Sequence, residues 1–456
     1  MALSNTDRGS EDASFDLLGL GFGPANLALG VAIEESKLGV AGFRARFLEQ
    51  QPTFAWHSDM LLADAELQIS FFKDLVSLRN PCSRFTFLNY LREHGRLQRF
   101  ANLRSLYPTR IEFNDYFRWA AEQLREQVQY GVRVVGLEPV RDRHSGIVRS
   151  LRVLTESVTD GRSSELHANN VVLGMGAQPS LPEGVDLRTH PAAFHASQFL
   201  RRMQAQFPDR NQAIRIVVVG SGQSAAEIVT HVLENYENAE VVAIMRRMAY
   251  RQSDESHFVN EMFASRFVDQ FYDLPARMRN EVLSDHGNTN YSAVDIELVE
   301  RLYRRLYVES IQGRTRLKFL PFCRVVGLAA NDVGVDVQFE DRTQQAVRSE
   351  RADGVVFATG YRWPRWHSLL ERLRPWRVED EAGGPIVERS YRLKMNADFK
   401  PGVYLQGYCE TSHGLSDTLL SLLPFRAVDV LEDVVQRGLR STSQPWASLD
   451  TRVAFG

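Results

Sequence analysis

The chain has 456 residues, of which 44% are hydrophobic and 24% are charged, and its formal net charge is −3. A chain of this length can bury a large core and is expected to form two or three domains. Because 54 Lys and Arg residues nearly balance 57 Asp and Glu residues, without a block of like charges, neither nucleic acid nor a membrane is an expected partner, and a small-molecule enzyme fits better.

The chain begins with a polar stretch, residues 1–14, that lacks the apolar run of a signal peptide and is predicted to be disordered. No later run approaches the roughly 18 apolar residues that a membrane helix needs. We therefore predict a cytoplasmic protein.

The first predicted strand, 15–20, leads into a glycine turn and an apolar helix. In a Gly-x-Gly-x-x-Gly/Ala turn the first glycine permits the tight turn, and the second lets the backbone approach a pyrophosphate at the helix N-terminus. Gly21 and Gly23 fit this pattern, whereas Asn26 stands where Gly or Ala is usual. The next strand ends in Glu49, a carboxylate that can accept hydrogen bonds from ribose hydroxyls. We predict a dinucleotide cradle here.

A second cradle follows the predicted strand 214–219, where Gly220, Gly222 and Ala225 match the pattern fully. The strand after it ends not in an acid but close to Arg246. An arginine can bind a 2′-phosphate, which an acid would repel, so this cradle is predicted to bind NADPH rather than NADH. A merely solvated arginine is the alternative. The first cradle is then left for the ADP half of FAD.

Two later apolar segments, 170–176 and 354–360, are predicted to complete the two sheets, and the spacing at 295–311 predicts an amphipathic helix. The predicted fold is α/β, with two Rossmann-like dinucleotide-binding domains for FAD and NADPH and a smaller, mostly helical substrate domain. The predicted boundaries are 15–180 and 361–456 for the FAD domain, 181–250 and 314–360 for the NADPH domain, and 251–313 for the substrate domain.

Two cradles in one chain suggest hydride transfer from nicotinamide to flavin. The three cysteines, Cys82, Cys323 and Cys409, lie far apart without a CxxC pair, which excludes a dithiol disulfide reductase and gives no zinc motif. The remaining flavoenzyme classes are oxygen-activating monooxygenases and simple reductases.

Eight motifs then occur in order: GFGPAN at 21–26, LQISFFKDL at 67–75, FLNYL at 87–91, GSGQSA at 220–225, FVNEMF at 258–263, TNYS at 289–292, ATGY at 358–361 and HGLSDTLLS at 413–421. In these motifs the chain resembles the microbial N-hydroxylating flavoprotein monooxygenases that act on L-ornithine or L-lysine in siderophore biosynthesis. The resemblance extends from about Phe15 to Arg426. Leu67 departs from it, since the family often has methionine there, as does NPCSR at 80–84, where DPTSP is usual.

The resemblance implies contacts with FAD, NADPH and an amine substrate, no metal, and a homo-oligomer, namely the tetramer of the family. The implied FAD contacts are Gly21, Gly23, Pro24, Asn26, Trp56, His57, Gln68, Val134, Thr418, Leu419, Leu420 and Ser421. The implied NADPH contacts are Gly220, Ser221, Gly222, Gln223, Ser224, Arg246, Asn290, Tyr291 and Ser292. The implied substrate contacts are Lys73, Asn260, Glu261, Met262, Phe263, Asn290 and Ser421.

The reaction implied by the resemblance is reduction of FAD by NADPH, addition of dioxygen to give a C4a-hydroperoxyflavin, and attack of a side-chain amine on it. Lys73 is suited to bind the substrate carboxylate, as is Asn260. Deprotonating the amine at pH 7 costs about 4.6 kcal/mol, and a neutral amide at Asn290 can orient it without favouring the ammonium form. The alternatives are a surface lysine, a turn and a helix cap, respectively.

The leading hypothesis is an L-ornithine N5-monooxygenase for siderophore or related hydroxamate biosynthesis, because the TNYS segment resembles the ornithine branch. Alternative hypotheses are an L-lysine N6-monooxygenase, a diamine (putrescine or cadaverine) monooxygenase, and an uncoupled NADPH-flavin reductase. For His57, His195 and His413, structural hydrogen bonding is expected rather than catalytic proton transfer.

Overall fold

The computed structural model of the protein describes residues 14–254, 256–289, 291–331, 334–363 and 367–439. Of the predicted disordered stretch only Ser14 is described, and the rest lies outside these ranges. The described strands are β1 (Leu17–Leu20), β2 (Ala45–Glu49), β3 (Val128–Tyr130), β4 (Val132–Arg141), β5 (Val148–Ser157), β6 (Ser163–Ala168), β7 (Asn170–Leu173), β8 (Gln178–Pro179), β9 (Ala193–His195), β10 (Arg215–Val219), β11 (Glu240–Ile244), β12 (Leu317–Leu320), β13 (Cys323–Asn331), β14 (Gly334–Asp341), β15 (Ala346–Ala352), β16 (Gly354–Phe357), β17 (Tyr361–Arg362) and β18 (Gly402–Leu405).

The described α-helices are α1 (Pro24–Ser36), α2 (Phe87–Glu93), α3 (Leu97–Leu103), α4 (Arg110–Gln123), α5 (Phe199–Gln206), α6 (Gln223–Asn235), α7 (Ser265–Asp273), α8 (Ala276–His286), α9 (Ile296–Ile311), α10 (Glu410–His413) and α11 (Leu423–Leu439). None of these helices is long and apolar enough to cross a membrane.

The first predicted cradle belongs to a five-stranded parallel sheet with the order β18-β7-β1-β2-β3. Strands β1, β7 and β18 are nearly continuous apolar runs, as expected when both faces of a parallel sheet are covered. Helix α1, which is apolar on most of its surface, shares the core of this sheet and packs on α11. The predicted strands 15–20 and 170–176 are β1 and β7, and their pairing confirms that they form one sheet.

The second cradle belongs to another five-stranded parallel sheet, with the order β12-β11-β10-β16-β9. Two core clusters cover its faces, and α6 contributes to one of them. Strand β16, at the predicted segment 354–360, pairs with β10. The predicted α/β fold with two Rossmann-like sheets is therefore confirmed.

Two antiparallel sheets, β4-β5-β6 and β13-β14-β15, accompany the parallel sheets, and β8 pairs with β17 as a two-stranded ribbon. The sequence analysis did not predict them. Strands β4 and β15 alternate exposed and buried residues only in part, which weakens their periodic signal.

The predicted substrate domain, 251–313, is largely helical in the structure. Helices α7 and α8 contact α10, whereas α9 packs on α6, and its Leu302 joins the core of the second sheet. Asp295 caps α9 by accepting a hydrogen bond from the Glu297 amide. The exact boundaries of the three domains stay predictions.

A buried polar network joins the first cradle to the end of the chain. The Asn26 amide donates to the Gly21 carbonyl (2.7 Å), and its Oδ1 accepts from Gln406 Nε2 (2.8 Å). Gln406 Oε1 accepts from Arg426 Nε (3.2 Å), and Arg426 pairs with Asp417 Oδ1 (2.9 Å). The four side chains are at most 2% exposed. Buried polar groups need such partners, so Asn26 is a bracing residue rather than a defect of the glycine motif.

We expect Asn26→Ala to weaken both the fold and the predicted FAD site. The substitution leaves the buried Gln406 amide and Gly21 carbonyl without these partners, at a cost of about 1–3 kcal/mol. Thermal unfolding of the apoprotein and titration with FAD measure the two effects. Ser36→Ala is the matched control, because Ser36 is a buried residue at the far end of the same helix whose hydroxyl bonds only locally, donating to the Ile33 carbonyl and accepting from the Leu38 amide. Equal FAD affinity in the two variants would contradict the bracing role.

Candidate functional site: a cleft between two dinucleotide cradles

The carboxyl ends of β1 and β10 open into one cleft of about 1510 Å³. In parallel α/β sheets this edge is where ligands bind. The predicted cofactor residues that line the cleft are Gly21, Gly23, Pro24, Glu49, Trp56, His57, Gln68, Val134, Gly220, Ser221, Gly222, Gln223, Ser224, Arg246, Tyr291, Ser292, Thr418, Leu419 and Leu420. The structure thus brings together residues that lie up to 399 positions apart, from Gly21 to Leu420.

The first cradle has the form that a pyrophosphate needs. Gly21 has a φ of +84°, and a Cβ there would lie 2.7 Å from the Gly174 carbonyl oxygen, so only glycine fits. At Gly23 a Cβ would meet no atom within 4 Å, which leaves the backbone open to a ligand. Gly23 caps α1 without a side-chain hydrogen bond, and Pro24 begins the helix. The free amides at this helix end can bind an anion.

Glu49, at the end of β2, holds the cradle from the other side. Its Oε2 accepts from the Phe22 amide (2.7 Å) and its Oε1 from the Gln51 amide (2.9 Å). A carboxylate oxygen has two lone pairs, so Glu49 can still accept from ribose hydroxyls. Its predicted contact with FAD stays a prediction.

Trp56 and His57 lie edge to face on the cleft wall, with ring centroids 4.9 Å apart. The imidazole is open to the cleft. Desolvation by the surrounding protein lowers the pKa of His57, and the positive charge of the Arg110 guanidinium lowers it further, to about 4. His57 is therefore neutral near pH 7 and does not add a positive charge to the site.

The turn Leu415–Thr418 and the residues after it form a further wall. Ser421, which is buried, does not line the cleft, and its Oγ has no hydrogen-bond partner among the described residues. A buried hydroxyl without a partner is unusual in a native protein and is compatible with a ligand contact. Sequence reasoning missed Gln406 and Asp417 here, although both line the cleft.

The second cradle is also closed around a glycine turn. At Gly220, φ is +144° and a Cβ would lie 2.3 Å from the Ala358 carbonyl oxygen. At Gly222 the nearest atom to such a Cβ is Ser292 Cα, at 3.5 Å. Ser292 itself has a left-handed backbone, with a φ of 57°. The segment that carries Tyr291 and Ser292 therefore lies directly over the cradle.

Arg246 follows β11 at the cleft and is exposed. Among the residues described, no carboxylate lies within ion-pair distance of it. Arg247 instead reaches the Ser292 carbonyl (3.5 Å). Arg246 thus offers an uncompensated guanidinium at the position where a 2′-phosphate is expected.

The cleft is bridged at one side by Tyr291. Its hydroxyl donates to the Glu410 carboxylate and lies 3.4 Å from Thr418 Oγ1. Burial raises the pKa of Glu410, and burial together with the Glu410 carboxylate raises that of Tyr291. Sequence reasoning did not single out Glu410.

Lys73 does not line the cleft but lies five residues after Gln68, which does. It is partly buried, and burial lowers its pKa. No carboxylate in the described ranges lies within ion-pair distance of its ammonium group. The adjoining Asp74 is committed elsewhere, because its oxygens accept from the amides of Val76, Ser77 and Phe87.

The other predicted substrate residues are only partly brought to the cleft. Asn260, Glu261, Met262 and Phe263 belong to the helical turn Val259–Phe263, which contacts the turn Leu415–Thr418 but does not line the cleft itself. Met262 is buried, and Glu261 pairs with Arg266. Asn290 lies outside the described residues. All these substrate contacts stay predictions.

Two of the three histidines make structural hydrogen bonds. His195 Nε2 donates to the Gly360 carbonyl (3.0 Å), while its Nδ1 accepts from the Ser197 amide (3.1 Å). His413 is fully buried, stacks on Tyr391, and donates to the Arg389 carbonyl (3.2 Å). Burial lowers the pKa of His413 to about 3. Within the described ranges no group of three or more His, Cys, Asp or Glu side chains is arranged to hold a metal ion.

Three of the known proteins to which the chain is similar are named for ornithine or lysine hydroxylation. The chain is 38% identical over 422 residues to the L-ornithine N(5)-monooxygenase of Pseudomonas aeruginosa, covering 92% of this chain and 94% of that protein. It superposes with a TM-score of 0.88 and 37% identity on the ornithine N-hydroxylase of Kutzneria sp. 744 with reduced FAD, NADP⁺ and L-ornithine, covering 93% of this chain and all of that one. It superposes with a TM-score of 0.81 and 32% identity on an L-lysine 6-monooxygenase from Pseudomonas syringae, covering 93% and 99% of the two chains.

The family model for L-lysine 6-monooxygenase/L-ornithine 5-monooxygenase matches residues 13–363. This range holds both cradles and the segment between them. With the two-cradle cleft, the match means that the chain belongs to the L-lysine 6-monooxygenase/L-ornithine 5-monooxygenase family.

Proposed function

We propose that the protein is an L-ornithine N5-monooxygenase that uses FAD, NADPH and dioxygen. The observation that carries the proposal is the single cleft onto which two dinucleotide cradles open. The reaction needs both cofactors to meet, and one shared cleft allows it. The relatives named for ornithine are also more similar in sequence than the lysine enzyme.

The first cradle fits FAD, and the second fits NADPH. Gly23 leaves room for a pyrophosphate at the α1 N-terminus, and Arg246 offers an exposed guanidinium for a 2′-phosphate. When bound, NADPH supplies the reducing equivalents and FAD the chemistry that activates dioxygen. The protein's task is to hold both cofactors and to keep water from the reacting centre.

Lys73 is proposed to bind the substrate's α-carboxylate. A partly buried ammonium group without a described carboxylate partner favours an anionic ligand. This favours an amino acid over putrescine or cadaverine, which lack a carboxylate. Asn260 is proposed to assist Lys73, and Asn290 to orient the amine, with a neutral amide that does not stabilise its protonated form. L-Lysine remains the nearest alternative substrate.

The product is proposed to enter siderophore or related hydroxamate biosynthesis. The cytoplasmic location and the assembly into a homo-oligomer both stay predictions. Helix α9 carries an exposed apolar stripe of Tyr303 (72% exposed), Tyr307 (63%) and Ile311 (70%), which is compatible with self-association.

Arg246→Ala should raise the KM for NADPH and leave that for NADH almost unchanged. Losing charge-assisted hydrogen bonds costs about 1.5–3 kcal/mol, or roughly ten- to a hundredfold in affinity. Steady-state oxidation of both nicotinamides measures the effect. Arg215→Ala is the control, because Arg215 lies at the opposite end of β10 and pairs with Glu240. Equal losses with NADPH and NADH would rule out a 2′-phosphate contact.

Lys73→Met should weaken ornithine binding while flavin reduction by NADPH stays near the wild-type rate. The expected loss is again about 1.5–3 kcal/mol for one charge-assisted contact, seen as a rise in the ornithine KM. Lys394→Met, at an exposed lysine, is the control. A Lys73→Met protein that fails to fold or to bind FAD would show that this lysine is structural.

Ornithine should give more hydroxylated product per NADPH consumed than lysine or putrescine. With the carboxylate and the amine both fixed, one extra methylene displaces the nitrogen by about 1 Å, which can cost on the order of a hundredfold in rate. Lysine should therefore give mainly hydrogen peroxide, and putrescine should bind poorly. Direct detection of the hydroxylamine alongside NADPH consumption measures this yield. A higher yield from lysine or putrescine would refute the ornithine assignment, and peroxide alone from all three would favour the uncoupled reductase.

A further inference from the structure

A largely buried ion pair between Arg110 and Glu227 joins a helix on the first sheet to the helix of the second cradle. Arg110 begins α4, which shares the core of the first sheet, and Glu227 lies in α6, the helix of the second cradle. The guanidinium donates twice, with Nη1 3.0 Å from Oε2 and Nη2 2.7 Å from Oε1. The two side chains are 14% and 5% exposed. This parallel two-bond arrangement permits little change in the angle between the guanidinium and the carboxylate.

The ion pair is connected to the cleft through Gln223. Gln223 Nε2 donates to Glu227 Oε1 (3.0 Å), so its Oε1 faces the opposite way. That oxygen accepts from Gln68 Nε2 (3.3 Å) and from the Asp295 amide (2.9 Å). Gln68, in the segment 67–75, and Gln223, in the second cradle, both line the cleft. One carboxylate, on Glu227, therefore organises contacts among three segments of the chain.

We propose that Arg110 and Glu227 are positioning residues that fix the second cradle relative to the first and thereby govern how the bound nicotinamide meets the bound flavin. The proposal rests on the proposed function. A buried ion pair adds little stability compared with an apolar pair of similar size, because both charges lose hydration. In contrast, its two parallel hydrogen bonds allow only a narrow range of orientations between the two helices. A displacement of about 1 Å between reacting groups can cost on the order of a hundredfold in rate.

The chain offers a matched comparison in Arg316 and Glu309. These side chains are 9% and 8% exposed and form a similar buried pair. Their pair joins the end of α9 to the chain just before β12, on the side of the second sheet, and neither residue lines the cleft. Glu309→Gln therefore removes a buried charge without touching the contact between cradles.

The experiment compares Glu227→Gln with Glu309→Gln in the full-length, FAD-bound protein. Anaerobic stopped-flow reduction by saturating NADPH gives the limiting rate, and we expect a decrease of at least tenfold for Glu227→Gln with FAD content retained. We expect Glu309→Gln to stay within about twofold of wild type, even where its Tm falls. Hydrogen exchange is the second readout: the Asp295 amide, which donates to Gln223, should exchange faster only in Glu227→Gln.

The double variant Arg110→Met/Glu227→Met continues the test should Glu227→Gln not fold, since two apolar side chains leave no buried charge unpaired. It should fold and bind FAD but retain the slow limiting rate. A wild-type limiting rate in either variant, or an equal slowing in Glu309→Gln, would overturn the positioning role. Wild-type protein that NADPH does not reduce at all would instead overturn the proposed function.

Discussion

A fully buried ion pair between Arg426 and Asp417 determines the shape of the first cradle. Both side chains are at most 2% exposed, so each charge must be compensated inside the protein. Asp417 accepts from Arg426 and from the Cys409 amide, and Arg426 also donates to Gln406. Because Gln406 in turn donates to Asn26, the charges near the end of the chain hold the glycine turn near its beginning.

This network explains why Asn26 can stand where the Gly-x-Gly-x-x-Gly/Ala pattern has glycine or alanine. The rule describes contacts within one strand, turn and helix, where a small third residue permits close packing. The Asn26 side chain instead bonds to Gln406, 380 residues away. A single sequence gives no signal for such a pair, although a polar residue at a position that must be buried does indicate that a partner exists.

The elements that the sequence predicted well are those with a local cause. Strands β1, β7, β10 and β16 are short apolar runs next to glycines, and the α9 helix has a clear period and an Asp295 cap. Both cradles could be found because turn geometry demands glycine at fixed positions. Arg110 was not singled out, because in sequence it is simply the first residue of an amphipathic helix. Its role arises only when α4 and α6 meet, which no local pattern reveals.

The two buried networks act on different properties of the same cleft. The Asn26, Gln406 and Arg426 network lies around one cradle and shapes a surface that binds one ligand. The Arg110, Glu227 and Gln223 network connects the two sides of the cleft and is proposed to fix the position of the second cradle relative to the first. Changes in the first should affect affinity, since they alter a single site, whereas changes in the second should affect rate, since reaction depends on two ligands being oriented together. The two networks are therefore expected to influence different properties of one cleft, with Gln223 as the residue at which the second network also meets the predicted NADPH contacts.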